Sequence, residues 1–156
     1  MRITQYTTKL TEDGKAVLEK EVSVNCPEVD KIMNSPHKLI ILARSYLHLH
    51  EQSEEYLYMV CLNTKLKMTS IFELSHGNVN SSVVGIREMF QKALLANAVN
   101  IVLMHNHPSG DATPSREDIA ITKRAVEAGR LIGIEVLDHI IIGNPGYTSL
   151  KEKGHI

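Results

Sequence analysis

Apolar and polar positions alternate along residues 2–10 and again along 16–24, on either side of the turn signal Glu12-Asp13-Gly14-Lys15. A period of two with such a turn predicts a pair of strands joined as a hairpin. The pattern then loosens. Pro27 and Pro36 each suit a first helical position, so a short helical stretch is expected after Pro27 and a longer one from Pro36 to about His50. Neither carries a clean apolar stripe. From residue 55 the pattern sharpens: 56–62 reads as a strand, Asn63-Thr64-Lys65 as a turn and 67–74 as the antiparallel partner, with Gly77 and Asn78 breaking the run. Met89, Phe90, Ala93 and Leu94 then fall at helical spacing. Ser81 or Ser82 is the expected N-cap of that helix, and Asn97, which tolerates the left-handed conformation, its C-cap.

Residues 99–104 are continuously apolar, the mark of a strand buried on both faces. This strand runs into His105-Asn106-His107 and is stopped by Pro108-Ser109-Gly110. Side chains at i and i+2 of a strand share a face, so the two imidazoles project together. Thr113 as N-cap and Pro114 at the first helical position predict a helix from there to Gly129, with Ile119, Thr122 and Val126 turned inward. On it Ser115 and Asp118, three residues apart, are neighbours near the N-terminus. Residues 131–142 read as another buried strand, and 143–146 as a turn. No internal repeat, low-complexity segment or linker interrupts the chain, so one domain is expected.

Composition supports a single core: 156 residues, 43% of them hydrophobic, suffice for one domain. With 4% aromatic residues and no Trp, aliphatic side chains must fill it. The net charge of −1 argues against the broad basic field that non-specific nucleic-acid binders use. Cys26 and Cys61 are isolated in sequence, no apolar leader follows Met1, and no run reaches the ~18 apolar residues of a membrane span. A reduced, cytoplasmic protein without membrane attachment is the expectation.

The chemistry concentrates in His105, His107 and Asp118. Two same-face imidazoles and a carboxylate eleven residues on can give a divalent metal three protein ligands, leaving a fourth position open. A structural zinc site would instead close itself with four protein ligands. Zinc suits this donor set, although iron and manganese also accept it. Glu51, Glu54, Glu55, Glu73 and Glu88 are available as a general base. Glu55 is best placed among them, at the mouth of a strand. Ser115 can donate to a developing oxyanion, or can simply be a first-turn serine.

The segment His105-Asn106-His107-Pro108-Ser109-Gly110, followed by Pro114-Ser115-x-x-Asp118, resembles the JAMM (MPN+) metalloprotease motif in its bacterial RadC-like form. The similarity takes in Arg87-Glu88-Met89-Phe90, residues 98–104 and Leu137-Asp138-His139-Ile140-Ile141-Ile142-Gly143, and covers about residues 53–150. The resemblance implies an α/β fold related to the cytidine deaminases, a JAMM/MPN domain with a central mixed sheet flanked by helices. Here that domain would span 51–156, behind an N-terminal extension (1–50) of a strand pair plus a helix. It also implies one zinc per chain on His105, His107 and Asp118, with Glu55 as base and Ser115 as oxyanion stabiliser. The implied reaction is hydrolysis of an amide or isopeptide bond in a protein or peptide by metal-activated water. Residues 1–50 do not read as a helix-hairpin-helix-like DNA-binding module but as that strand pair plus helix.

Other signals carry less. The letters His-Asn-His are not the spread residues of an HNH nuclease. His48 and His50 fall in the expected helix, where i and i+2 point apart. Asp138-His139 reads as a strand-end polar pair or as hydrogen-bonding support for a ligand. His-Glu-x-x-His and the zinc-deaminase signature are absent. Lys65-Leu66-Lys67 and Lys123-Arg124 read as solvated charge. Two further readings stay open: a DNA-repair-associated protein that binds or processes nucleic acid with the same metal site, which the net charge does not favour, and a non-catalytic interaction module. Substrate identity and oligomeric state are not written in the sequence.

Overall fold

The computed structural model describes residues 1–77 and 84–156. Its elements are β1 (Arg2–Leu10), β2 (Ala16–Asn25), α1 (Pro36–Ser45), a 3-10 turn (Leu49–Glu51), β3 (Glu55–Leu62), β4 (Met68–Gly77), α2 (Ile86–Leu95), β5 (Asn100–Asn106), α3 (Arg116–Ile132), β6 (Glu135–Ile142) and β7 (Tyr147–Ser149). The strands form one mixed sheet in the order β2-β1-β4-β3-β5-β6-β7. β5 runs parallel to β6 and antiparallel to β3. The fold is the expected α/β arrangement, a central mixed sheet with helices on both faces.

Alternation along the central strands divides the core in two. Val60, Leu62, Val102, Met104 and Ile140 face Leu39, Leu42 and Ala43 of α1. Leu57, Met59, Ile101 and Leu103 face Met89, Phe90 and Ala93 of α2 and Ile121 and Ala125 of α3. Every residue of β5 is buried, which is why its sequence is an unbroken apolar run and not an alternating one. The N-terminal hairpin extends this sheet through β1 beside β4, with Gln5 opposite Ile71, and Ile3 joins the α1-side core.

Several boundaries differ from those the sequence suggests. The stretch after Pro27 forms turns and no helix, because its backbone bonds elsewhere: Met33 N–H donates to Leu66 O, and Lys31 O accepts from Met68 N–H. α1 stops at Ser45, where Tyr46 and Leu47 N–H both close on Leu42 O. His48 then takes a left-handed φ of 50° ahead of the 3-10 turn. Thus His48 and His50 lie beyond the helix and pair with Glu51 instead. β4 runs on to Gly77, since Glu55 at the head of β3 still has Gly77 opposite it. α2 starts at Ile86 with Gly85 as its N-cap, while Ser81 and Ser82 lie outside the described residues. Asn97, just past the C-cap, has the left-handed φ of 51° that its residue type anticipates.

The largest shift is in α3. Its N-cap is Ser115, not Thr113. A reciprocal pair of bonds decides this: Ser115 Oγ accepts from Asp118 N–H (3.0 Å) and Asp118 Oδ2 accepts from Ser115 N–H (2.7 Å). Two orphan donors of the first turn are thereby satisfied at once, and Pro114 is left before the cap. The helix continues past Gly129 to Ile132 and ends on Gly133 at φ 83°, a left-handed position suited to glycine. Its buried face is therefore Asp118, Ile121, Thr122, Ala125 and Gly129, with Ile119 and Val126 only half-buried. β6 correspondingly begins at Glu135 rather than 131.

Candidate metal centre

β5 ends its buried run on His105 and Asn106, and His107 follows immediately, its N–H donating to Ile142 O of β6. His105 and His107 project from the same face, as alternation requires, onto the first turn of α3. There Asp118 occupies the third helical position with its carboxylate turned inward. The cluster is tight: His105 Nε2 lies 2.9 Å from His107 Nε2, 3.2 Å from Asp118 Oδ1, and His107 Nε2 lies 3.3 Å from Asp118 Oδ2. Among the described residues these three form the group of metal-ligand type, all their ligand atoms within 4.8 Å. His105 and Asp118 are buried; the His107 side chain keeps 14% of its surface, so the centre opens to solvent on that side.

The donor set fits a divalent cation on two counts. Donors about 2.0–2.1 Å from a tetrahedral zinc lie about 3.3 Å from one another, close to the spacing found here. In addition, His107 Nδ1 sits 2.7 Å from the Asp111 carbonyl oxygen. A carbonyl can only accept, so Nδ1 carries the proton and the Nε2 lone pair of the neutral ring is left facing the cluster. A lone pair aimed at 2.9 Å toward another imidazole nitrogen needs a proton or a cation between them.

The charges are tuned accordingly. Burial alone would raise the Asp118 carboxyl, but the His105 and His107 imidazoles set against it, with the Ser115 N–H, outweigh it and hold the group far below its ordinary 3.8. The start of α3 adds the favourable end of a helix dipole. His107 is pulled up, first by its bond to Asp118 and, among weaker causes, by the charge of Glu55. His139, fully enclosed, is pushed well below 6.5 by burial and then by repulsion from His105.

Of the glutamates, Glu55 stands beside the cluster. The β3–β5 ladder sets Leu57 opposite His105; carried two residues on, it brings Glu55 opposite His107 and on the same face. The others are engaged elsewhere: Glu51 with His48 and His50, Glu54 with His76, Glu73 with the Tyr58 hydroxyl, Glu88 with Arg87. Ser115 caps α3 next to Asp118, its oxygen taken as acceptor by Asp118 N–H. Of Asp138-His139, only His139 faces the cluster, with Nε2 2.8 Å from His105 Nδ1. Asp138 points to the other face and ties β7 to β6 through Ser149 Oγ. Both sit within β6 and not at its end.

Two supports escaped the sequence reading. The Asn106 side chain, between the histidines but on the opposite face, donates to Glu54 O and accepts from Tyr56 N–H, both at 2.9 Å. It so grips the backbone on either side of Glu55. Its only sequence signal is an amide at the end of an apolar strand. The second is the turn at 143–146, which braces the loop after His107: Asn144 N–H donates to Gly110 O at 2.9 Å. Arg44 of α1 in turn donates to the carbonyls of Gly143, Pro145 and Gly146. A Cβ at Gly143 would stand 2.3 Å from the Gly110 oxygen. Gly143→Ala is therefore expected to push back the loop whose Asp111 carbonyl holds His107, weakening the affinity of the cluster for an added divalent cation about tenfold or more. Competition with a chromophoric chelator measures this, and wild-type affinity would refute the bracing role.

Comparison with known proteins gives the family context. The model of the RadC-like JAB domain matches residues 33–155. A UPF0758 protein of Bacillus cereus is 54% identical over 103 residues, 66% of this chain and 46% of that protein. One from Desulforamulus reducens is 53% identical over 108 residues (69% and 48%), and one from Caldanaerobacter subterraneus is 53% identical over 103 (66% and 44%). The matched part thus spans under half the length of these curated relatives.

Proposed function

Because this chain belongs to the RadC-like JAB domain family, we propose that it is a JAMM-type zinc hydrolase, a metallopeptidase cleaving an amide or isopeptide bond in a protein or peptide. The observation that carries the reading is the convergence of His105, His107 and Asp118, from two different elements, into one cluster with donor-to-donor distances suited to zinc. A zinc ion held there supplies a Lewis acid and lowers the pKa of water.

The chain's own residues supply the rest. Glu55, beside the open, His107 side of the cluster, accepts the proton of the attacking water and returns it to the leaving amine. Ser115 retains a hydroxyl proton after accepting from Asp118 N–H, and gives it to the oxyanion that develops on the scissile carbonyl. Asn106 keeps the head of β3, and so Glu55, against β5. The near-neutral charge speaks against nucleic acid as the substrate. Two buried free thiols suit a reducing, cytoplasmic setting, and no helix among the described residues is long and apolar enough to cross a membrane.

Elemental analysis of protein purified without added zinc tests the reading. Wild type is expected to hold about one zinc per chain and His107→Ala essentially none. A wild type that takes up no metal even after reconstitution with zinc would remove the hydrolase reading.

A further inference from the structure

His139 lies behind His105, away from solvent and from the open side of the cluster, at 1% exposure. It stands opposite Leu103 in the β5–β6 ladder and presents its ring between His105 and α3. Its Nε2 is 2.8 Å from His105 Nδ1 and its Nδ1 is 2.6 Å from Thr122 Oγ1. Thr122, itself fully buried, also places Oγ1 2.6 Å from the main-chain oxygen of Asp118.

These contacts admit one direction of hydrogen bonding. A hydroxyl has a single proton, and the Asp118 carbonyl has none to give, so Thr122 donates to Asp118 O. Were Thr122 to donate to His139 instead, two oxygens would face each other at 2.6 Å with no hydrogen between them. Thr122 must then accept from His139 Nδ1–H. A neutral, buried ring carries one proton, so His139 Nε2 accepts, and the bond to His105 is made by His105 Nδ1–H. The proton of His105 is thereby kept off Nε2, the atom that faces His107 and Asp118.

We propose that Thr122 and His139 are positioning residues that fix His105 as its Nδ1–H tautomer, presenting the Nε2 lone pair to a metal ion. The series closes on itself. Asp118 offers its carboxylate to the front of His105 and its carbonyl, through Thr122 and His139, to the back, so one turn of α3 holds the ring from both sides. His107 is fixed in the same tautomer by a simpler device, the Asp111 carbonyl. The use of this arrangement rests on the metal-centre reading; the tautomer itself does not.

Two-bond 1H–15N correlation spectra of the metal-free protein, labelled with 15N-histidine, read the tautomer directly. His105 and His139 are both expected as Nδ1–H. Thr122→Val keeps the shape but removes the acceptor for His139; it is expected to mix the tautomers and to weaken zinc binding about 10–100-fold. Thr122→Ser is expected to restore both. A wild-type spectrum with His105 protonated on Nε2 alone would overturn the proposal, as would a valine variant with unchanged spectrum and zinc affinity. Should the valine variant not fold, the wild-type spectrum still decides. A wild type with the expected tautomers that takes up no zinc would support the positioning and refute the metal reading. Zinc uptake with His105 in the opposite tautomer would do the reverse.

Discussion

Asp118→Ala is expected to lower the melting temperature of the metal-free protein by about 6–12 °C, a loss of about 3 kcal/mol for a domain of this size, besides removing zinc. Two contributions add. The carboxylate closes the capping box with Ser115, and losing a cap costs about 1 kcal/mol. The remainder is the pairing lost by His107, the imidazole whose charge Asp118 supports. Stripping one partner from a buried ion pair costs about 3–5 kcal/mol, less here because an imidazole left alone can release its proton. Ser115→Ala separates the terms: it removes only the cap, so about 1 kcal/mol, with zinc still bound.

The pH dependence has a definite sign. Asp118 is held far below its ordinary 3.8, so its stabilisation is present above about pH 4 and is lost as the pH falls below that. His107 is raised from 6.5, so its share is present below that value and is lost as the pH rises through the raised one. Without metal, the Asp118-dependent stability is therefore greatest between about pH 4 and 7. Melting curves of wild type and Asp118→Ala across pH 3–9 check this; a difference that does not narrow toward acid would contradict the pairing.

How much of this was legible before the structure depends on where each residue takes its instructions. β5 announced itself because burial on both faces demands unbroken apolar residues, and the same regularity put His105 and His107 on one face. Asp118 was legible as a partner, though not for its second role. Local preference placed the α3 cap at Thr113, followed by Pro114. The structure chose Ser115, since Asp118 then satisfies the cap and faces the histidines in one move. That coupling between cap and site is invisible to propensity alone. The stretch after Pro27 failed for the opposite reason: its fate is set by bonds to Leu66 and Met68, more than thirty residues away in sequence.

The supports of the centre were harder still. Thr122 reads as an ordinary inward helix residue, and only the third dimension sets it against His139. Asn106 looks like filler between two ligands, yet its amide joins β5 to the head of β3. Such residues bear no motif because they answer to geometry across strands. What the sequence could give was the list of groups able to hold a metal and the five glutamates able to act beside it. The strand start at Tyr56 and the family resemblance already singled out Glu55 among them; what a single chain of letters does not contain is the β3–β5 register that sets it beside His107.

That choice yields the other large expected effect. Glu55→Gln should leave zinc content and melting temperature nearly unchanged, because Glu55 is a half-buried residue at the head of β3 and is no part of the ligand cluster. It should lower kcat by about 10²–10⁴-fold on whichever peptide or isopeptide substrate a hydrolysis screen identifies, the usual worth of a positioned general base. Glutamine keeps the size and the strand pairing but cannot take a proton from water. Glu54→Gln is the internal control. One residue away in sequence, Glu54 points across to His76 on the other face, so its loss should change kcat less than twofold by the alternation of a strand. Equal effects at the two positions would mean that charge at the mouth matters and proton transfer does not. A Glu55→Gln variant with wild-type turnover would return the choice of base to the remaining carboxylates, while leaving the metal centre untouched.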